Sequence, residues 1–546
     1  MKLKKLLAVG TTSLLAVGFL AGCGSKQAQA PKDTVGISSK DIIATADSSL
    51  NTDNIGSQAL VDTMEGLYRW KGKTLVPGVS TKIVKPTNNG LTYTFKLRKD
   101  SKWSNGDPVT AQDFVYAWKR TVDPKTKSQY AYIFEGIANA KDISAGKKPV
   151  DTMGVKAIDD HTFQVNLEKP IPYFNKLIAN ATFYPLQEKT VKKWGKKYGT
   201  NSKTMIFNGP YKLVNWNSPD NSWKETKNNK YWNSKAVKVK NLKYQVVKDN
   251  STSVNLFQAN KLDRAQVSGD TAKQMKDNKD YGEVKQNSTF FIEMNQEKNP
   301  LFKNQKIRQA LSLALNRKQL VDKVLGSGCS PANSITPAKM AYDPQDNSKD
   351  FVAQTSKTGK ANASYDLKKA KKLWKEGLAE TGNTGKKLDL VLLGDDTDSS
   401  KKRDEFLQNQ LGKLPGLKIT INDVPFKSRL NRAISGDFDL VVTGWIADFP
   451  DPINFLTLFT EGASNNNGKW VNKEYNDLVK KSMNEDANNP AARWKDMQDA
   501  QNIINEQQGV IPLFQNGEAY LTHKRLKGVD FGSSGTYNQM SLYTKE

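Results

Sequence analysis

The stretch Phe438-Asp-Leu-Val-Val-Thr-Gly-Trp445 decides the fold class of this chain. It is a short apolar run rich in β-branched residues, and it ends in Gly-Trp. Such a run is typical of a strand buried on both faces of a sheet that helices cover. Because strand-like and helix-like segments alternate along the rest of the chain, the sequence predicts an α/β protein.

Periodic segments before this run predict further strands and helices. Leu91–Arg98 and His161–Leu167 alternate apolar and polar residues, which predicts two half-exposed strands. Thr110-Ala-Gln-Asp113 resembles a capping box, so a helix is expected to begin there and to bury Phe114, Ala117 and Trp118. Apolar residues from Leu60 to Leu67 recur at helical spacing, which predicts a helix that ends at Gly66.

Two longer helices are predicted in the second half of the chain. Apolar residues at helical spacing run from Asn304 to Leu325, and Gly326 is positioned to end that helix. Asn489-Pro490 combines a capping residue with a first-turn proline, and the helix that it opens is expected to end at Gly509.

The N-terminus has the layout of a secretory signal. Lys2, Lys4 and Lys5 precede an apolar segment that is too short and too diluted to span a membrane. Leu20-Ala21-Gly22-Cys23 resembles the lipobox of bacterial lipoproteins, which implies cleavage after residue 22 and diacylation of the Cys23 thiol. Two acyl chains hold a protein on a membrane. An ordinary signal peptide with a chance cysteine is the alternative. Residues 23–30 are small and polar, as in a flexible tether.

Composition narrows the class of protein. With 546 residues, at about 150 residues per domain, the chain is expected to form two to four lobes. Cys23 and Cys329 are the two cysteines, so no disulfide framework is expected. The formal charge is +26, yet lysines are scattered, as between Lys368 and Lys375. This distribution favours a solvated surface over a nucleic-acid partner.

Catalytic and metal-binding motifs are not found in the sequence. Two histidines, His161 and His523, are too few for the common metal sites and for most general bases. No nucleophile elbow, phosphate loop, dinucleotide fingerprint or zinc-protease motif occurs. The chain is therefore predicted to be no enzyme and to carry no metal and no cofactor.

Five segments, taken together, resemble one family, the extracytoplasmic solute-binding proteins of peptide and nickel ABC importers. They occur in the family's order and cover most of the mature chain: Trp103–Pro124, Asn208–Trp216, Asn229–Trp232, Ile307–Arg317 and Gly444–Pro452. The resemblance implies a two-lobed, periplasmic-binding-protein-like fold of type II, in the large variant with an extra subdomain and a ligand cleft between the lobes.

The same resemblance implies a division of the chain. Lobe I is expected to comprise residues 31–64, 193–290 and 513–546, and its subdomain residues 65–192. Residues 291–512 are expected to form lobe II. Ligand held by both lobes would stabilise a closed form that a transporter can recognise.

Site residues follow from the resemblance position by position. Asp448, in Gly-Trp-Ile-Ala-Asp, corresponds to the carboxylate that holds the peptide amine, and Phe449 stands where tyrosine is frequent. The ligand-pairing strand corresponds to Thr443, Gly444, Trp445 and Ile446. Looser alignments place Thr52, Asp53 and Asn54 on the opposite wall, in a strand-like contact, and Tyr130 as a cleft aromatic.

The expected function is that of a monomeric, lipid-anchored receptor. It would capture oligopeptides through their main chain and amine and deliver them to ABC permease subunits. Its expected location is the outer face of the cytoplasmic membrane, in a Gram-positive bacterium. Two alternatives stay open: the same fold binding a nickel chelate, haem or a peptide pheromone, and a basic surface adhesin for envelope polyanions.

Overall fold

The computed structural model describes residues 32–533 and 535–545. The predicted signal peptide, Cys23 and the tether lie outside these residues. Across the described ranges, no helix is both long enough and apolar enough to cross a membrane.

Strands are distributed along the whole described chain. In chain order they are β1 Thr34–Ser39, β2 Tyr68–Lys71, β3 Thr74–Pro77, β4 Thr92–Lys96, β5 Val155–Asp159, β6 Thr162–Asn166, β7 Tyr211–Val214, β8 Ser222–Lys227, β9 Asn241–Val246, β10 Arg264–Val267, β11 Tyr281–Met294, β12 Ser330–Pro331, β13 Tyr342–Asp343, β14 Asp346–Asp350, β15 Leu388–Asp395, β16 Leu417–Val424, β17 Leu440–Ile446, β18 Ile511–Thr522, β19 Leu526–Lys527 and β20 Tyr543–Thr544.

Helices alternate with these strands, which confirms the predicted α/β class. They are α1 Asn54–Thr63, α2 Ala111–Val122, α3 Ala140–Ser144, α4 Phe174–Leu177, α5 Glu188–Trp194, α6 Asn250–Gln258, α7 Gly269–Gln274, α8 Gln305–Leu313, α9 Arg317–Gln319, α10 Lys357–Asn362, α11 Leu367–Glu380, α12 Asp398–Leu411, α13 Phe426–Ile434, α14 Ile453–Leu456, α15 Lys473–Met483 and α16 Pro490–Gln507. Short 3₁₀ turns join many of them, and Leu320–Leu325 is a π-helix.

One mixed sheet of eleven strands runs through the molecule. Its order is β16-β15-β17-β11-β18-β10-β1-β9-β8-β7, and β12 pairs with β18 beside this path. The long strands β11 and β18 connect the two halves of the sheet. β18 pairs with β10 through its second half, whereas β11 pairs with β17 through residues 288–294. Two crossing strands therefore join one half built from residues 34–267 to another built from residues 388–446.

The predicted central strand is β17, and it changes surroundings along its length. Leu440, Val441 and Val442 are buried between β15 and β11. Residues 443–445 are half-buried and Ile446 is exposed. The first half of β17 thus anchors in the core, and the second half reaches the surface of a cavity.

Several predicted elements are confirmed. β4 and β6 lie within the two alternating segments, and Asp113 completes a capping box with Thr110 at the start of α2. Phe114 and Trp118 are fully buried. In α16, the Asn489 side chain accepts a hydrogen bond from the Ala492 amide, as expected for its cap. The lysines between Lys368 and Lys375 lie exposed on α11.

Two predicted helix ends are wrong. α1 ends at Thr63 rather than Gly66, because the Asn208 side chain binds both the amide and the carbonyl of Glu65, at 3.0 and 2.8 Å. The helix expected over residues 304–325 is interrupted after Leu313. There, Asn316 caps a new helix, and the buried Arg317 donates to the Ser312 carbonyl at 2.9 Å.

Candidate functional site

A cavity of about 380 Å³ opens at the exposed end of β17. Three parts of the chain face one another across it: the segment that leads into α1, the 130 and 179–182 regions, and the end of β17 with the loop that follows. Its lining is Asn51, Thr52, Asp53, Asn54, Ser57, Val61, Tyr130, Ala179, Asn180, Ala181, Thr182, Phe426, Gly444, Trp445, Ile446, Ala447, Asp448 and Thr536.

Eight of the nine predicted ligand-binding residues line this cavity. They are Thr52, Asp53, Asn54, Tyr130, Gly444, Trp445, Ile446 and Asp448. Thr443 does not: its hydroxyl accepts a hydrogen bond from Arg429 at 3.1 Å, and Arg429 also pairs with Asp395 at 3.0 Å. The side chain of Thr443 is therefore committed to the fold.

The edge of β17 that faces away from β11 is free over its last residues. β15 pairs with β17 only at Leu440 and Val441, whereas β11 pairs with all residues from 440 to 446. Within the described residues, no strand covers the other edge of residues 443–446. A free edge exposes main-chain donors and acceptors, to which an extended segment can add as a further strand.

Asp448 follows this edge directly and is held in place by Asn454. The Asn454 side-chain oxygen accepts from the Asp448 amide at 3.1 Å and from the Trp445 indole N–H at 2.9 Å. The Asn454 amide nitrogen donates to the Asp448 carboxylate at 3.3 Å. One buried amide side chain thus orients both the ring and the acid.

Burial raises the pKa of Asp448 to about 6, although hydrogen bonds from Asn454 and Tyr132 favour the charged form. In the described part of the chain, this carboxylate makes no ion pair. Buried charges are normally paired, because desolvation is costly. Asp448 therefore presents an acceptor to the cavity whose ionised form a cationic group would stabilise.

The opposite wall is formed by the residues before α1. Asp53 has extended backbone, as a strand-like contact requires, and its carboxylate caps α1 by accepting from the Gly56 amide at 2.8 Å. Thr52 and Asn54 flank it and are exposed. These residues form an irregular segment and pair with no strand among the described residues.

Two tyrosines stand beside Asp448. Tyr130 and Tyr132 have ring centroids 5.6 Å apart. The pKa of each tyrosine is raised, chiefly through burial and then through the charge of Asp448. Both phenols therefore remain protonated near the carboxylate.

Reasoning from the sequence missed three residues of the site. Tyr132 ends the Gln-Tyr-Ala-Tyr segment that carries the alignment of Tyr130, and Asn454 lies six residues after Asp448, but the sequence assigned no role to either residue. Phe426, at the start of α13, lines the cavity and is 59% exposed. An aromatic residue after a proline carries no signal of this position.

Hydroxyl, amide and apolar groups dominate the lining, and Asp53 and Asp448 are its charged members. Over residues 32–533 and 535–545, no cluster of three or more histidines, cysteines or acids is arranged to hold a metal ion. The arrangement can therefore bind a cation at Asp448 and an extended main chain along β17.

Comparison with known proteins gives the following matches. Residues 74–467 match the family model described as "Bacterial extracellular solute-binding proteins, family 5 Middle". A dipeptide-binding protein of Lactococcus lactis subsp. cremoris is 36% identical over 560 residues, covering 100% of both chains. The oligopeptide-binding protein OppA of Bacillus subtilis is 31% identical over 554 residues, covering 99% of this chain and 98% of its own.

A solved structure, Listeria monocytogenes OppA bound to peptide, superposes with a TM-score of 0.80. It is 37% identical, and the match covers 94% of this chain and 99% of that one. This likeness confirms the predicted fold class.

Proposed function

The chain belongs to family 5 of the bacterial extracellular solute-binding proteins, and we propose that it captures short peptides for an ABC importer. Membership in a family of solute-binding proteins confirms that the chain is not an enzyme and that it is extracytoplasmic. The relatives that bind dipeptides and oligopeptides support a peptide as the ligand.

The observation that carries this proposal is a half-buried carboxylate, Asp448, beside a strand edge: within residues 32–533 and 535–545 the carboxylate has no ion pair and the edge has no partner strand. Every peptide offers an α-ammonium and a main chain, whatever its side chains are. Asp448 would take the ammonium, and residues 443–446 would take the main chain as an added strand. Side chains would then lie in the rest of the cavity, where water can accommodate different shapes.

The strengths of these contacts agree with useful affinity. A neutral hydrogen bond contributes about 0.5–1.5 kcal/mol net, and one to a charged group about 1.5–3. Several main-chain hydrogen bonds and one ion pair can therefore approach the roughly 8 kcal/mol of micromolar binding.

Binding would be coupled to lobe closure. We assign lobe I to residues 31–64, 193–290 and 513–546, its subdomain to 65–192 and lobe II to 291–512. In this division, the subdomain contacts lobe II just after Asp448. The ring centroids of Tyr173 and Phe449 are stacked 4.5 Å apart, and the Lys176 ammonium donates to the Pro450 carbonyl at 3.2 Å. Phe449, next to Asp448, would thereby link ligand capture to closure.

Delivery would require the receptor to stay near its permease. We propose that lipid on Cys23 provides this anchor, with the polar tether of residues 23–30 as spacing. Radiolabelled palmitate should enter the wild-type chain and not Cys23→Ala. Equal labelling of both would contradict the anchor and leave peptide capture untouched.

The decisive test combines a variant with a modified ligand. We expect trialanine to bind the wild type at least tenfold more tightly than N-acetyl-trialanine, as measured by isothermal titration calorimetry. In Asp448→Asn this preference should disappear, because the amine has lost its partner. Asp389→Asn, at an exposed pair with Lys418, is the control and should keep the preference. Equal loss on acetylation in all three proteins would refute the role of Asp448.

A further inference from the structure

A second, smaller cavity of about 100 Å³ adjoins the peptide cavity. Asn54 lines both cavities. They meet again at the C-terminal segment, where Gly535 lines the smaller cavity and Thr536 the larger one. A Cβ on Gly535 would lie 3.8 Å from Ile446, the last residue of β17. A ligand that lies along β17 can therefore extend from the first cavity into the second.

Arg264 dominates the smaller cavity. It projects from β10 and is only 4% exposed, and its guanidinium carbon lies 3.6 Å from the ring centre of Tyr520 and 3.8 Å from that of Tyr537, two rings whose planes are nearly perpendicular to each other. One terminal nitrogen donates to the Tyr537 hydroxyl. Because the N–H bonds of a guanidinium lie in its own plane, further hydrogen bonds form at its edge.

The edge of this guanidinium carries an unused donor. Among the described residues, its buried Nε has no hydrogen-bond partner and no carboxylate lies within ion-pair distance of Arg264. The charge of Arg264 acts on Glu518 at longer range, where it helps Lys40 to hold the pKa of that carboxyl below its ordinary value. The cavity has two other charged members, Lys40 and Glu518, and these pair with each other at 3.1 Å. One positive charge is therefore left over in the lining. A buried donor of a charged group without a partner is costly unless a ligand satisfies it.

We propose that the smaller cavity is a carboxylate subsite of the peptide cleft, in which the edge of Arg264 binds a carboxylate of the bound peptide. Arginine presents paired N–H groups in a fixed fork that matches a carboxylate. The carboxylate is either the C-terminus of a short peptide or the side chain of an aspartate or glutamate. This inference rests on the proposed function. It adds a preference for a carboxylate to a cleft that otherwise recognises only the ammonium and the main chain of the peptide.

Four peptides and three proteins test the subsite by calorimetry. The peptides are trialanine, trialanine amide, Ala-Ala-Glu amide and Ala-Ala-Gln amide. The proteins are the wild type, Arg264→Gln and Arg432→Gln. Arg432 is the control because it pairs at 2.8 Å with the exposed Asp437 and lines neither cavity.

If the C-terminus is the source, amidation of trialanine weakens binding to the wild type at least tenfold. If a side chain is the source, the Glu peptide binds at least tenfold more tightly than the Gln peptide. In either case, the ratio of the two affinities should fall to about one in Arg264→Gln and keep its wild-type value in Arg432→Gln. Should Arg264→Gln fail to fold, Arg264→Lys replaces it and should keep part of the preference, because it retains charge without the fork.

Two results overturn the subsite. One is a wild type that binds peptides with equal affinity whether or not they carry a carboxylate. The other is a preference that survives unchanged in Arg264→Gln. Both leave amine recognition by Asp448 intact, which the acetylated peptide reports separately. A wild type that binds none of the peptides would overturn the proposed function, and the subsite with it.

Discussion

Asp448 and Asp451 lie three residues apart after β17, and their surroundings are opposite. Asp451 is 6% exposed and pairs with Arg493 through two contacts of 2.7 and 3.1 Å. Although burial opposes ionisation, Arg493 holds the pKa of Asp451 below its ordinary value. Asp448 faces the cavity without an ion pair among the described residues, and burial raises its pKa to about 6.

Under the proposed function, this difference separates a carboxylate that stabilises the fold from one that binds a ligand. Asp451 pairs with a cation on α16, so its cost of desolvation is offset in the free protein. Asp448 has no such cation among the described residues, and the proposed function assigns that part to the ammonium of a bound peptide. A binding energy that is realised only with ligand present is what a receptor needs if closure is to report occupancy.

The largest effect is expected from breaking the internal pair. Asp451→Ala leaves the Arg493 guanidinium buried without its carboxylate, and loss of one partner of a buried pair typically costs about 3–5 kcal/mol. We expect the free energy of unfolding, measured in urea, to fall by that amount. Asp389→Asn removes one partner of an exposed pair with Lys418 and should leave the midpoint unchanged. Similar losses of unfolding free energy in both variants would mean that burial does not make the Asp451–Arg493 pair more important for stability than an exposed pair.

The opposite sign is expected at Asp448. Asp448→Asn removes a carboxylate whose pKa is raised to about 6 by burial, so the free protein should gain about 3 kcal/mol at pH 7. The protonated carboxyl contributes its stability fully below about pH 4, and that contribution is lost as the pH rises through about 6. The gain of the variant should therefore shrink to nothing as the pH is lowered from 7 to 4. Destabilisation by Asp448→Asn at pH 7 would contradict an unpaired acid at this position.

The sequence predicted a role for Asp448, but it did not predict the ion pair of Asp451. Asp448 was found because it sits in Gly-Trp-Ile-Ala-Asp, a motif that resembles a known family. The partner of Asp451 is Arg493, 42 residues later on α16, and nothing in the local pattern indicates that contact. Local signals are similarly good for α2, whose capping box lies within four residues, and for β17, whose apolar run is continuous.

Predictions failed where a distant residue changes a local preference. Apolar residues do recur at helical spacing up to Leu67. The Asn208 side chain, however, hydrogen-bonds to both the amide and the carbonyl of Glu65, and α1 therefore ends early. In the 304–325 segment, the Arg317 guanidinium donates hydrogen bonds to the carbonyls of Ser312, Ala363 and Pro512, and the helix is interrupted there. The positions of Phe426 in the cavity lining and of Arg264 against two tyrosines likewise depend on tertiary contacts, which periodicity does not encode.

The affinity for peptides should depend on pH through Asp448. Because the ammonium binds the ionised carboxylate, protons compete with peptide below the pKa of about 6. We expect the affinity for trialanine to be constant between pH 6.5 and 7.5 and to fall by up to tenfold for each pH unit below 6, or about 1.4 kcal/mol per unit. The profile of Asp448→Asn should be flat over the same range. A wild-type affinity that does not change between pH 7 and pH 5 would rule out an ionisable Asp448 as the partner of the amine.

The smallest effect is expected from Asn454, which positions Asp448 without reaching the cavity lining. Asn454→Ala removes the acceptor of the Trp445 indole and of the Asp448 amide, each a hydrogen bond of about 1 kcal/mol. We expect trialanine to bind about fivefold more weakly, while N-acetyl-trialanine, which has no ammonium, is affected less. Asn466→Ala is the matched control, because Asn466 is also buried but bonds to the Trp470 carbonyl away from the cavity. Equal weakening of both peptides would show that Asn454 supports the fold of the loop in general, and that the orientation of the Asp448 carboxylate does not depend on it.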